Sequence, residues 1–214
     1  GGEFARSVTS DDSYACYPVW SPDSKTLAYA CDRFGNFDIF TVPASGGVPT
    51  RITTHSAHET PFAFSNDGRS IYFGAAISDA AESALFPKGS MEELYRVSIR
   101  GGRYERVLGT PAQWICLGND GKSFLYQDRK GGENEWRKHH TSSVARDIWN
   151  YDTVSGKHTR LTTWEGEDRN PRYSPDNRSV YFLSERSGSF NVWNMPADNP
   201  SEARQVTFFK THPV

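Results

Sequence analysis

Short stretches rich in β-branched and aromatic residues recur along this chain, and polar turns separate them. The clearest marker is an apolar residue followed by Ser-Pro-Asp or a close variant. It occurs four times, as Trp20-Ser21-Pro22-Asp23, Phe64-Ser65-Asn66-Asp67, Leu117-Gly118-Asn119-Asp120 and Tyr173-Ser174-Pro175-Asp176. Proline presets φ at the first turn position and the aspartate caps the turn. Each marker therefore predicts a tight hairpin between a first strand and a second strand.

Three further features follow each marker in a fixed order. A second apolar stretch comes first, and then an acidic or amide residue stands before an apolar pair, as in Asp38-Ile39-Phe40, Glu93-Leu94-Tyr95, Asp147-Ile148-Trp149 and Asn191-Val192-Trp193. A turn, twice a Gly-Gly pair, then leads to a last short strand. Four strands in units of about 44 to 56 residues are typical of propeller blades. The sequence thus predicts an all-β fold, a β-propeller with about four four-stranded blades in this chain.

The repeats divide the chain into one propeller segment over residues 1–214. Residues 1–10 match the last strand of a preceding blade, and blades are expected at 11–54, 55–108, 109–163 and 164–214, the last with the start of another. We expect a segment of a larger ring. Open sheet edges recruit other strands, so self-association through these edges is expected as well.

Composition changes this picture little. The chain has 14% aromatic residues, 18 glycines and 12 prolines, which suit short strands and tight turns. A formal net charge of −2 gives no electrostatic footprint for nucleic acid, and no apolar run approaches the roughly 18 residues of a membrane span. Cys16, Cys31 and Cys116 form no spaced pair and are expected to be free thiols. No cofactor is expected.

The loops that join second to third strands differ most between repeats. They expand to roughly 74–92 in the second repeat and 128–146 in the third. Long loops on a rigid scaffold are common binding sites. The third loop carries Trp136 and Arg137 with His139 and His140, which could receive the carboxylate of a peptide. The same loop could instead be pinned by Trp136 or contact another domain.

Two histidines, His55 and His58, lie beside Glu59 in the loop that precedes the second blade, on the same expected face. A His/Glu cluster can bind zinc, but this spacing matches no zinc signature, so no metal site is predicted. The stretch Glu165 to Asp168, followed by Arg169, is expected to be a solvated, salt-bridged loop. The predicted binding residues are His55, His58, Trp136, Arg137, His139, His140 and Arg169.

Acidic residues also follow the second strands. Asp32, Asp128 and Glu185, each before an arginine, are expected at one repeat position. A residue repeated by symmetry usually serves the architecture, whereas catalysis needs one site. We therefore expect these carboxylates to cap turns or to pair between blades.

The repeat resembles that of TolB-like proteins and of the N-terminal propellers of tricorn-type serine peptidases. The segments that carry the likeness to the tricorn type are 134–140, 146–149 and 161–168. This resemblance implies a non-catalytic accessory domain that handles peptides or unfolded polypeptide and docks sister domains of a parent peptidase. The sequence leaves the compartment open between periplasm and cytoplasm, and the resemblance favours the periplasm. In agreement, the chain has no Gly-x-Ser-x-Gly motif. A stand-alone TolB-like protein-binding propeller and a metal-dependent propeller lyase remain as alternatives.

Overall fold

A computed structural model describes residues 6–9, 12–77, 91–131 and 141–211. Within these ranges the chain is built from β-strands and one 3-10 turn, Pro200–Glu202. Its strands form four sheets of four strands each, and neighbouring strands are antiparallel. In this part of the chain no helix has the length and apolar character that crossing a membrane would require. The predicted all-β fold of four blades is confirmed.

Two compact units contain two blades each. Residues 1–110 form the first unit and residues 111–214 form the second. The strands of the first unit are β1 Ala15–Trp20, β2 Thr26–Cys31, β3 Asp38–Pro43 and β4 Thr50–Arg51 in blade 1, and β5 Glu59–Phe64, β6 Ser70–Ala75, β7 Glu93–Ser98 and β8 Glu105–Leu108 in blade 2. Those of the second unit are β9 Ala112–Leu117, β10 Ser123–Asp128, β11 Ile148–Asp152 and β12 Lys157–Arg160 in blade 3, and β13 Asp168–Tyr173, β14 Ser179–Ser184, β15 Asn191–Pro196 and β16 Arg204–Gln205 in blade 4.

Within each blade the strands follow one another in sequence order, as a meander. The Ser-Pro-Asp markers form the first hairpins. In blade 1 the Ser21 hydroxyl donates to the Asp23 carboxylate (2.7 Å), which also accepts the backbone N–H of Lys25 (3.1 Å). Trp20, Phe64 and Tyr173 end the first strands of their blades, as predicted. The turn chemistry therefore sets the register of these strands.

Apolar side chains pack between the sheets inside each unit. In the first unit, Ala28 and Ile39 of blade 1 share a core with Ile71 and Phe73 of blade 2, and all four are buried. In the second unit, the buried residues Leu125, Ile148, Val180, Phe182 and Met195 form the corresponding core. Burial of such surface is worth roughly 25 cal/mol per Å². Apolar packing therefore holds the two blades of each unit together.

Each first strand has a bulge at the same position. Tyr17, Trp114 and Asn170 have φ values of 54°, 53° and 54°, which non-glycine residues rarely adopt. Blade 2 has Pro61 there instead. The N–H of Asn170 donates to the Gln127 side chain of the preceding blade (2.8 Å), whereas proline has no N–H to satisfy. The bulge is thus part of the repeat.

One predicted alignment of acidic residues is wrong by one position. Asp128 ends β10 and so matches Cys31 and Ser184, which end β2 and β14. Asp32 and Glu185 each lie one residue beyond those strand ends. Asp128 is a strand residue because β10 pairs with β9 through Asp128, just as β2 pairs with β1 through Cys31.

The expectation that these carboxylates serve the architecture agrees with their contacts. The Asp128 carboxylate accepts the N–H of Asp147 (2.8 Å) and the indole N–H of Trp149 (2.9 Å). The Asp32 carboxylate accepts the N–H of Tyr14 (2.9 Å). Both carboxylates therefore satisfy backbone donors near strand ends.

Candidate functional site

An acidic residue at the start of the third strand, or directly before it, is a structural ion-pair partner in three blades. Each pairs with an arginine of the fourth strand: Asp38 with Arg51 at 2.7 Å, Glu93 with Arg106 at 3.4 Å and Asp147 with Arg160 at 2.8 Å. Blade 4 has the amide Asn191 in this place, which accepts the Phe209 N–H at 2.7 Å. This position therefore belongs to the repeat and marks no reactive centre.

In blades 1 and 3, the threonine two residues after the fourth-strand arginine forms hydrogen bonds beside this ion pair. The hydroxyl of Thr53 accepts the N–H of Ile39 (2.8 Å), and Thr162 does the same for Ile148 (2.9 Å). Thr53 also donates to Glu59, which opens the next blade. Thr162 likewise lowers the pKa of Asp168, which opens blade 4. These hydroxyls link consecutive blades within each unit.

Blade 3 carries a polar pocket of about 610 Å³ at this edge of the sheet, where its second-to-third loop meets the loop that leads into blade 4. Six side chains that line it are Lys130, Ser142, Ser143, Asp147, Arg160 and Trp164. The Lys130 ammonium group donates to the Ala145 carbonyl (2.7 Å) and to Asp147. Lysine and arginine thus bracket one buried carboxylate. The pocket adjoins both ends of the long third loop.

Trp164 forms a fixed wall of this pocket. Its ring lies so close to the Cα of Gly166 that a Cβ at position 166 would clash with it. The Arg186 guanidinium lies 5.5 Å from the ring centre of Trp164 and bonds to both oxygens of Asp168 (3.0 and 2.8 Å). The indole is therefore held by packing from one side and by a cation from the other.

The acidic stretch before β13 was expected to be solvated, and this prediction is wrong for two of its members. Glu167 and Asp168 are buried, at 6% and 0% exposure, while Glu165 is exposed. Glu167 pairs with the buried Arg146. Burial raises the pKa of Asp168, and the nearby Arg186 guanidinium opposes that shift. Arg146 and Arg186, which are distant in sequence, compensate the negative charge of these two buried carboxylates.

The whole chain, residues 1–214, matches the model of the tricorn protease N-terminal beta propeller domain. The chain belongs to this family. An uncharacterized protein of Agrobacterium fabrum is 31% identical over 191 residues, which cover 87% of this chain and 56% of that protein. The chain thus spans little more than half of this curated relative.

Two solved structures show the same propeller fold. The crystal structure of the tricorn protease matches this tricorn-type propeller with a TM-score of 0.76 and 20% identity, over 96% of this chain and 20% of the protease chain. TolB from Acinetobacter baumannii matches with a TM-score of 0.74 and 22% identity, over 96% of this chain and 46% of TolB. At these identities the likeness concerns the fold alone.

Two of the predicted binding residues of this tricorn-type propeller lie together in the loop between β4 and β5. The Nδ1 atom of His55 accepts the N–H of Ala57 (3.0 Å), and that of His58 accepts the N–H of Phe37 (3.2 Å). In both rings Nδ1 is engaged by a backbone N–H, so Nε2 is the ring nitrogen left for other contacts.

Arg169 lies elsewhere than expected. It is the second residue of β13, in the second unit, and its guanidinium lies 4.0 Å from the ring centre of Phe190. Trp136, Arg137, His139 and His140 fall outside the described residues. Among the residues that the structure does describe, no group of three or more His, Cys, Asp or Glu side chains could hold a metal ion.

The pocket residues Lys130, Arg160 and Trp164 were not predicted as a site. The fourth-strand arginine is visible in the repeat, and Trp164 stands in one of the segments that carry the family likeness. Their convergence depends on the path of the long third loop, which the sequence pattern does not define.

Proposed function

We propose that this chain is a non-catalytic propeller segment of a larger tricorn-like peptidase. It binds peptides or unfolded polypeptide on the face of the second-to-third loops and docks sister domains of the parent protein. The observation that carries this proposal is the blade 3 pocket, whose rim includes the two ends of the long third loop. The small share of the tricorn protease that the chain covers supports a role as one part of a larger protein.

The charges of the pocket favour a particular kind of ligand. Its lining includes two cations, Lys130 and Arg160, and two carboxylates, Asp147 and Glu165. These charges balance, so the pocket suits a polar, uncharged peptide backbone better than a free anion. Ser143, which is exposed, offers a hydroxyl for such a backbone, and the half-buried Trp164 offers an apolar surface.

The predicted binding residues of the second unit supply the remaining contacts in this proposal. Arg137 and Arg169 hold carboxylates or carbonyls of the peptide, while Trp136 covers an apolar side chain. Each such exposed contact contributes about 1 kcal/mol or less. Micromolar affinity corresponds to about 8 kcal/mol, so several contacts must act together.

A peptide titration tests this proposal. We expect Ser143→Tyr, which fills the pocket, and Trp136→Ala with Arg137→Ala to weaken binding of an unstructured peptide, the combination by about tenfold or more. Matched controls on the opposite edge are Lys25→Ala and Arg69→Ala, which replace exposed cations beside the first hairpin turns. These controls should bind the peptide as the unmodified chain does.

Two results would contradict the placement of the site. One is unchanged binding in all three loop variants. The other is loss of binding in Lys25→Ala or Arg69→Ala alone, which would assign the ligand to the hairpin-turn edge. Peptide hydrolysis that copurifies with the folded chain would contradict the non-catalytic role.

Gly166→Ala provides a second check, because the added methyl group must displace the Trp164 ring. We expect a loss of stability of about 1–3 kcal/mol from overpacking, together with weaker peptide binding. Val154→Ala, in an exposed turn of the same blade at 75% exposure, is the control and should change neither quantity. Denaturant titration and the peptide titration measure the two effects. A stable Gly166→Ala variant with full binding would refute the role of Trp164.

A stand-alone TolB-like binding propeller is the second candidate, and the fold similarity to TolB favours it. The complete reading frame distinguishes the two candidates, because a peptidase region after the propeller supports only the first. The lyase alternative requires a bound metal. Metal analysis of the purified chain tests that alternative directly.

A further inference from the structure

The contact between the two blades of a unit, called the joint below, includes an ion pair in the second unit that the first unit lacks among its described residues. In the second unit, Asp168 opens the first strand of blade 4, and both of its carboxylate oxygens accept from the Arg186 guanidinium. In the first unit, Glu59 opens the first strand of blade 2 and bonds to the Thr53 hydroxyl. The two acids occupy the same position in the repeat, so their surroundings can be compared directly.

Blade 2 has no arginine at the position that Arg186 occupies in blade 4. Arg186 lies two residues beyond the end of β14, and the residue two beyond the end of β6 is Ile77. Ile77 packs against the apolar core of its unit. Glu59 is completely buried, and its Oε1 atom has no hydrogen-bond partner among the residues that the structure describes. No ion pair joins Glu59 to a cation of the described residues.

The groups around Glu59 add negative charge to this joint. The Asp38 carboxylate of β3 raises the pKa of Glu59. Among the described residues, the guanidinium that opposes this effect is that of Arg51 of β4, which is already paired with Asp38 at 2.7 Å. His58 precedes Glu59, but its Nδ1 is occupied by the Phe37 N–H.

We propose that Glu59 makes the joint between blades 1 and 2 proton-sensitive: the neutral carboxyl locks blade 2 onto blade 1, and ionisation loosens that contact. The neutral group fits a site that, within the described part of the chain, offers a hydroxyl partner and no cation paired with Glu59. The ionised group places an additional buried charge beside Asp38, with only Arg51 to compensate both.

The direction of the pH effect follows from the environment. Burial raises the pKa of Glu59 from its ordinary value of 4.5 to about 7, Asp38 adds to that shift, and Thr53 and Arg51 oppose it. The folded state therefore holds a proton that the unfolded chain releases. The stabilisation is complete below the ordinary pKa and is lost as the pH rises through about 7. Acidification thus tightens this joint.

Thermal unfolding between pH 5 and pH 8 tests the proposal with Glu59→Gln, which mimics the neutral carboxyl. At pH 5 we expect the variant and the unmodified chain to melt together. At pH 8 the variant should melt higher, by roughly 5 °C. The matched control is Asp168→Asn, which should melt lower than the unmodified chain at pH 7, because Arg186 loses its charged partner.

Histidines titrate in the same pH range, so a local measurement is needed as well. The carboxyl carbon of labelled Glu59, followed by NMR, should titrate near pH 7. Amide exchange of β4 and β5 should become slower, relative to the intrinsic rates, as the pH falls through that value. Titration near the ordinary glutamate value, or parallel melting curves of Glu59→Gln and the unmodified chain, would overturn the proposal.

Discussion

Replacing Arg146 by leucine is expected to lower the free energy of unfolding of the second unit by about 3–5 kcal/mol. The Arg146 side chain is 5% exposed and pairs with Glu167, which is 8% exposed. Leucine would leave the Glu167 carboxylate buried without its cation. The Glu167 carboxylate also accepts the Arg146 backbone N–H (3.3 Å), so the carboxylate is held in place and cannot easily move to solvent. Urea unfolding of the two proteins measures this difference.

The control for Arg146→Leu is an ion pair at the surface of the same unit. Arg178 and Asp176 are 3.9 Å apart, and their side chains are 87% and 61% exposed. Exposed pairs contribute little, so Arg178→Ala should change the stability by less than about 1 kcal/mol. If both variants lose the same free energy of unfolding, the buried Arg146–Glu167 pair contributes no more than an exposed pair, and this prediction is wrong.

Phe182→Ala is expected to cost about 3–5 kcal/mol, because its ring fills the core between blades 3 and 4. The ring is 1% exposed, and the adjacent Tyr181 on the opposite face of β14 is 39% exposed. Tyr181→Ala is therefore the matched control and should cost clearly less. Denaturant unfolding monitored by circular dichroism gives both values.

These two substitutions also test the orientation of β14. A one-residue shift in its pairing would exchange the faces of Phe182 and Tyr181. A larger loss for Tyr181→Ala than for Phe182→Ala would show that the strand faces the other way.

The strands could be predicted because their signals are local. The Ser21 and Asp23 side chains bond to each other and to backbone N–H groups within five residues. A short sequence segment therefore determines the hairpin. The same local chemistry recurs at Ser174 and Asp176. Fixed order of such signals then indicates blades without any knowledge of distant contacts.

The burial of Glu167 and Asp168 could not be predicted in this way. Their partners, Arg146 and Arg186, are 21 and 18 residues away along the chain. A sequence window around residues 165–169 shows only a cluster of charges, which is usually solvated. The same limit applies to Arg169, whose position in β13 depends on pairing with Leu183.

The candidate site was predicted only in part. The third loop and its histidines were chosen from length and composition, and the pocket adjoins both ends of that loop. Lys130 and Arg160 were missed because their shared partner Asp147 brings them together only in the folded blade. The role of Asp147 itself becomes clear when its equivalents, Asp38 and Glu93, are seen paired in the other blades.

Hydrogen exchange of the chain with and without a bound unstructured peptide tests the proposed binding face most directly. The account predicts slower exchange in segments 128–131, 141–147 and 160–166, which surround the blade 3 pocket, with no change in the hairpin turns 21–25, 65–69 and 174–178. Protection of those turns in place of the pocket segments, or no protection anywhere at a saturating peptide concentration, would contradict it.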